Sequence, residues 1–282
     1  MNPPPHPPDP KLPEKQKLLD QVLECIRVKN YSIRTEEAYI SWIKRFILFH
    51  KKRHPSEMKA TEIREFINYL ANHDNVSPST QNQALNAILF LYRDVLRTSI
   101  GIIDNIEWAK TPVRLPVVLT PTEVKAVLNQ LKDTKLLMAN LLYGSGLRLM
   151  ECVRLRIKDL NLENLQIIVR SGKGFKDRAT LLPKKLVPDL QKQFDFVKKL
   201  HDQDIQEGFG RVYLPNALKK KYPNANREFA WQYFFPAQKL SRDPRSGTVQ
   251  RHHTCERNLQ QAIKKAVRIS EIHKPASCHT LR

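Results

Sequence analysis

Three short stretches of this sequence carry side chains able to handle a phosphate. The first is Gly144-Ser145-Gly146-Leu147-Arg148-Leu149-Met150-Glu151. Its glycines break one helix, and Arg148 opens the next. A carboxylate three residues on lies on the same helical face and can hold the guanidinium in one pose. The guanidinium fork can then clamp two phosphate oxygens. The second stretch, Gly172-Lys173-Gly174-Phe175-Lys176-Asp177-Arg178, reads as a hairpin tip. Flanking glycines let Lys173 approach a ligand, and a lysine can donate a proton to a leaving oxygen. The third is His279-Thr280-Leu281-Arg282. On a helix, His279 and Arg282 share one face and can bind one phosphate. Taken singly, each pattern also describes something ordinary: a helix-start ion pair, a solvated basic turn, a chance HxxR.

Such side chains act only if folded elements hold them. Residues 1–14 are proline-rich without apolar periodicity and read as a disordered arm. From residue 15 the pattern is helical. Leu18, Leu19, Val22, Leu23 and Ile26 form one apolar stripe, and Tyr39, Trp42, Ile43, Phe46 and Ile47 a second. Ile63, Phe66, Ile67 and Leu70 form a third, and Leu85, Ile88, Leu89, Tyr92 and Leu96 a fourth. The 3–4 spacing predicts a four-helix domain over residues 15–104. Residues 105–119 read as a linker. Thr120, Pro121 and Glu123 then spell a helix start: an N-cap, a proline in the first turn and a capping box.

Residues 120–282 change period. Leu165, Ile167 and Val169 alternate as a strand, Ser171 to Gly174 turns, and Ala179 to Leu182 returns. A helix is expected from Lys184 to His201 and another from Arg257 to Ile269, with residues 207–250 irregular, aromatic and basic between them. The predicted fold class is mainly α with a small β-sheet: a helical domain followed by a mixed α+β domain.

Charge narrows the partner. Lys and Arg number 48 against 28 Asp and Glu, a net charge of +20. Residues 1–110 carry 16 basic and 13 acidic groups, and residues 111–282 carry 32 and 15. The second half therefore holds +17 of the excess, which favours a nucleic acid over a merely soluble basic surface or a membrane-surface protein. No apolar run reaches the ~18 residues of a membrane span. Met1 to Pro10 lacks the pattern of a signal peptide, so a cytoplasmic location is expected. Cys25, Cys152, Cys255 and Cys278 have no metal-ligand spacing and read as buried free thiols.

In this order and spacing, the three stretches resemble those of the tyrosine recombinase superfamily. The resemblance rests on GLRLMECVRLRIKDL, IIVRSGKGFKDRATLLP and the terminal HTLR, and covers about residues 15–282. The helical segment, including VSPSTQNQALNAILFLYRDVL, is similar to the family's core-binding, SAM-like domain. The resemblance implies a catalytic domain over residues 120–282 and metal-free, cofactor-free strand exchange through a 3′-phosphotyrosyl bond. It gives Arg148 and Arg282 to the non-bridging oxygens and Glu151 to orienting Arg148. Lys173 becomes the acid for the 5′-oxygen, and His279 assists proton transfer at the nucleophile. It further implies contacts to DNA from Arg34, Thr80 and Asn82, a C-shaped clamp on duplex, a homotetramer on DNA in the full-length form, and a bacterial, nucleoid-associated setting.

Residues 207–253 resemble the extra segment of integron integrases, which helps read bases flipped out of a folded single-stranded site. That likeness makes Trp231 a stacking residue, with Pro244, His252 and His253 packing around or touching such bases. Phe234 and Phe235 read instead as core beneath a long loop. The family's nucleophilic tyrosine follows its HxxR motif on a later helix. All eight tyrosines here precede His279. The expectation is a C-terminally truncated integrase that binds DNA without cutting it; a non-catalytic DNA-binding protein is the alternative. An RNA-binding structural protein would account for the charge and leave the ordered motifs unexplained.

Overall fold

Apolar residues at 3–4 spacing bury one face of each helix in the N-terminal half. The computed structural model describes residues 17–98, 108–110, 112, 115–170, 176–215 and 218–282. The expected arm, part of the linker, and the turn bearing Lys173 lie outside these residues. The chain divides into two compact units, Met1–Arg114 and Leu115–Arg282.

The first unit holds α1 (Leu18–Val28), α2 (Ile33–Phe49), α3 (Ala60–Asn72) and α4 (Pro78–Phe90). Ser32 caps α2 by accepting from the Thr35 N–H, and Pro78 sits in the first turn of α4, where a missing N–H costs nothing. Phe46, Ile63, Phe66, Leu70, Leu85 and Ile88 bury together with Trp42 and Tyr92. Each of these large side chains stabilises the unit by roughly 1.5–3 kcal/mol. Val22, Ile26, Ile43, Phe90 and Leu91 make a second cluster. The α4 helix runs on as a π-turn over Leu91–Leu96, a feature the periodicity did not show.

The second unit opens with α5 (Pro121–Asn129), whose capping box is the one read from the sequence: Glu123 N–H donates to Thr120 Oγ1 at 3.2 Å, and Thr120 N–H to Glu123 Oε2 at 2.7 Å. The helices α6 (Asp133–Ser145) and α7 (Leu149–Val153) follow. A three-stranded antiparallel sheet then forms in the order β1 (Leu160–Asn161), β2 (Gln166–Val169), β3 (Arg178–Leu181), with Ile167 opposite Thr180 and Val169 opposite Arg178. Alternation puts Ile167 and Val169 in the core and turns Arg178 and Thr180 inward on β3.

Beyond the sheet come α8 (Val187–Gln206), the short α9 (Leu218–Lys221), a hairpin of β4 (Ser241–Arg242) and β5 (Val249–Gln250), and α10 (Glu256–Ile269). Residues 207–250 are thus less irregular than the sequence suggested. The core runs through Leu141, Leu142, Cys152, Val153, Leu190, Phe234, Phe235 and Ile263, and α10 packs on α5, α6 and α7. Cys152 and Cys278 are buried, whereas Cys255 is exposed and Cys25 half-buried, so only two of the four thiols are core groups. Among the described residues, no helix is long and apolar enough to cross a membrane.

Candidate active site

The turn between α6 and α7 is shaped by its glycines. Gly146 sits at φ +61° at the end of α6, the left-handed region that favours glycine. A Cβ on Gly144 would fall 2.6 Å from Cγ of Pro183, so the end of α6 lies directly on the segment leaving β3. Arg148 then becomes the N-cap residue of α7, in extended conformation. Its N–H donates to Glu151 Oε2 at 2.8 Å, and its Nη1 to Oε1 at 2.7 Å.

A second arginine meets the same carboxylate. Arg178 donates from Nη1 to Oε1 at 2.9 Å and from Nη2 to Oε2 at 2.7 Å. The Glu151 side chain is 8% exposed, against 32% for Arg148 and 34% for Arg178. Burial by itself would raise the Glu151 carboxyl. Hydrogen bonds from Arg178 and from the Arg148 N–H and guanidinium outweigh it and hold the group down to about 2.

The HTLR stretch is a turn, not the helix expected of it. Ser277 donates its N–H to Thr280 Oγ1 and accepts the Thr280 N–H, both at 3.0 Å. Cys278 and Leu281 point into the core, which leaves His279 and Arg282 on the exposed side. Arg282 Nε donates to the Gly146 carbonyl at 2.8 Å. Gly146 and Arg148 are two residues apart, a reach of at most ~7 Å between their Cα atoms. Two arginines 134 positions apart in sequence therefore meet at one turn.

Lys173 lies outside the described residues, but its hairpin stem does not. Arg170 binds Asp159 at 2.9 Å and Asp177 at 3.7 Å. On β3, Thr180 Oγ1 donates to the Ser145 carbonyl at 2.8 Å. Sequence reasoning quoted Arg178 and gave it no role. Its only sequence signal was a charged residue at an inward strand position.

The 207–253 segment is anchored by Arg156, which is 8% exposed. Its guanidinium donates to the carbonyls of Trp231 at 2.5 Å and Tyr213 at 2.8 Å and lies 4.6 Å from the Tyr233 ring centroid. Trp231 is half-buried, and Lys158 Nζ stands 2.8 Å from its ring centroid. Burial, with Arg170 nearby, lowers that ammonium to about 8. Pro244 is exposed in the turn between β4 and β5. His253 is buried, with its ring edge-on to Tyr233 at 5.3 Å and its Nδ1 2.7 Å from the Thr254 carbonyl oxygen. Burial pulls it down to about 4. His252 is half-buried and tilted on Tyr233 at 5.2 Å. A buried pair, Arg251 and Asp204, ties the segment to α8.

In the first unit, Arg34 is exposed near the start of α2. The Thr80 hydroxyl lies 2.9 Å from that of Ser77 in the first turn of α4. The Asn82 amide is engaged twice with the backbone of Ala109, at 3.1 Å each way, so it anchors the segment that follows the helices.

Comparison with known proteins agrees with this geometry. Residues 18–102 match the phage integrase N-terminal SAM-like domain, and residues 117–282 match the phage integrase family. An integrase/recombinase of Escherichia coli is 46% identical over 266 residues, covering 94% of this chain and 79% of that protein. Two solved structures share the fold: the XerH site-specific recombinase bound to its difH substrate (TM-score 0.59, 16% identity, 94% of this chain and 72% of that one), and the Tn1549 transposon integrase in complex with transposon right end DNA (TM-score 0.57, 15% identity, 94% and 84%). A family match over more than half of the sequence, joined to a relative of 46% identity along nearly all of it, means that this chain belongs to the phage integrase family of tyrosine recombinases.

Proposed function

We propose that this chain binds a recombination site on DNA and sets one phosphodiester for attack by a tyrosine. The observation that carries the reading is Arg282 on the Gly146 carbonyl, beside an Arg148 pinned by Glu151. Arg148 and Arg282 bind the two non-bridging oxygens and stabilise the charge of the pentavalent phosphorane. As the tyrosine oxygen bonds to phosphorus, its proton passes to His279. The bond to the 5′-oxygen breaks, and Lys173 supplies the proton to that leaving group.

The attacking hydroxyl is not assigned to any of the eight tyrosines. Burial raises the phenols of Tyr92 and Tyr233, which makes them poor nucleophiles. Attack is assigned to a tyrosine outside these 282 residues, which makes this chain, by itself, a DNA-binding form of an integrase. A nicked suicide substrate tests the assignment. The 282-residue chain is expected to bind it and leave no denaturation-resistant adduct; a version extended by later helices with a tyrosine is expected to leave one. An adduct on Tyr143, five residues before Arg148, or on any other of the eight, overturns the assignment. No adduct from either version favours a protein that binds sites without cutting them.

The integron-type reading belongs to the 207–253 segment. Supporting it are a half-exposed Trp231, an exposed Pro244 at a hairpin tip, and a His252–His253–Tyr233 cluster behind them. A flipped base stacks on the indole as Lys158 moves from the ring to a phosphate, and His253 serves as the floor of the site. Arg34 and Thr80 bring the first unit to duplex, Asn82 holding its end segment. The working form is a homotetramer on DNA in the cytoplasm, at the bacterial nucleoid.

A further inference from the structure

We propose that Arg178 is a positioning residue of this site: through Glu151 it leaves Arg148 with positive charge to offer a phosphate, and it fixes the lysine-bearing hairpin against the Arg148 turn. The inference rests on the phosphate-binding reading of Arg148.

The carboxylate of Glu151 accepts four hydrogen bonds, two at each oxygen. Only one is made by the Arg148 guanidinium; both forks of Arg178 take the rest, apart from the Arg148 backbone N–H. Arg148 with Glu151 alone is a neutral pair, and a phosphate gains little from a neutral pair. Arg178 turns it into a cluster of net charge +1. It also leaves Nε and Nη2 of Arg148 out of the Glu151 contact. The charged groups facing Glu151 are Arg148 and Arg178, both among the described residues.

Geometry supports the second part. Arg178 and Thr180 are two residues apart on β3, so both point to the same face. Thr180 holds the Ser145 carbonyl at one end of the α6–α7 turn, and Arg178 holds Glu151 at the other. The strand that leaves the Lys173 turn is thereby bolted to the turn that carries Arg148. Asp177, next in the stem, meets Arg170 on the opposite strand. A lysine at position 178 keeps the charge and loses the planar, two-pronged contact.

The experiment uses the 282-residue chain with selective isotope labels. Its variants are Arg178→Gln, Arg178→Lys and the double variant Arg178→Gln/Glu151→Gln. Near-ultraviolet circular dichroism establishes that each is folded. Two NMR signals are followed: the Glu151 carboxyl carbon through an acid titration, and the Arg148 Nε–H during addition of inorganic phosphate. Arg178→Gln is expected to raise the Glu151 titration by about one pH unit or more and to weaken phosphate at Arg148 about tenfold, the effect of one charge near the surface. Arg178→Lys is expected to lose only about threefold, because charge survives without the fork. The double variant, which removes one charge of each sign, is expected to recover to within about threefold of the parent. An unmoved Glu151 titration in a folded Arg178→Gln protein overturns the proposal. So does a folded double variant as weak as the single one. If Arg178→Gln fails to fold, Arg178→Lys and the double variant still decide. A parent protein whose Arg148 signal ignores phosphate overturns the phosphate-binding reading instead, and the Glu151 titration then judges the positioning role by itself.

Discussion

Glu151 sits between two guanidinium groups, and acid should release both. Its carboxyl is held at about 2 in the folded chain, against ~4.3 in an unfolded one. Its contribution is therefore complete above about pH 5 and is lost as pH falls toward 2, some 2–3 kcal/mol in all. Glu151→Gln should lower stability at pH 7 by about that amount and flatten the acid limb of a pH–stability curve measured by urea unfolding. A limb unchanged by the substitution would move the acid sensitivity elsewhere. Trp231 offers a second test at this scale. Stacking on an aromatic face is worth ~1–3 kcal/mol per base. Trp231→Ala should abolish any preference for a hairpin with protruding bases over its plain duplex, with duplex affinity nearly intact. Equal loss on both DNAs would return Trp231 to a packing role beside Val212, Leu214 and Tyr233.

At the scale of elements, the insert is a unit with its own acid weakness. His253 is neutral and buried against Tyr233, held at about 4, where an unfolded histidine titrates near ~6.5. Between those values the unfolded chain binds the extra proton, so stability falls as pH drops from about 7 to 4. His253→Gln should flatten that window and leave the lower Glu151 window in place; fluorescence of the tryptophans during unfolding reads both. The helices were legible because each buries a stripe: Ile63, Phe66, Ile67 and Leu70 are spaced for one face, and all four are buried. Thr120 to Glu123 was legible because a capping box is local, and Thr120→Ala should cost ~1 kcal/mol in the same unfolding experiment. The terminal motif was misread as helix because its spacing fits one. The Ser277–Thr280 bonds instead close a turn that buries Cys278 and Leu281. Two-residue strands such as Ser241–Arg242 carry no alternation and gave no signal.

Across the molecule, charge is divided unevenly, and binding should report it. The +17 of residues 111–282 predicts affinity for DNA that falls steeply and log-linearly with salt. A filter-binding series between low and moderate salt measures the slope, and a flat response would remove phosphate contacts as the source of affinity. Long-range pairings were the least legible part of the site. Arg178 meets Glu151 across 27 positions and Arg282 meets Gly146 across 136. Nothing in either neighbourhood names its partner. Arg156 was invisible for a related reason: a lone arginine reads as solvated, and here carbonyl oxygens from the insert satisfy it in the interior.

The central claim is that Arg148 and Arg282 hold the same phosphate. A duplex site selected from a random-sequence pool can be rebuilt with a neutral methylphosphonate at each backbone position in turn, and binding measured for the parent, Arg148→Ala and Arg282→Ala. The account predicts one position where neutralisation weakens the parent about tenfold, the effect of one charge–charge contact, and where both variants are indifferent. Two different positions for the two arginines, or no position that stands out, would contradict it.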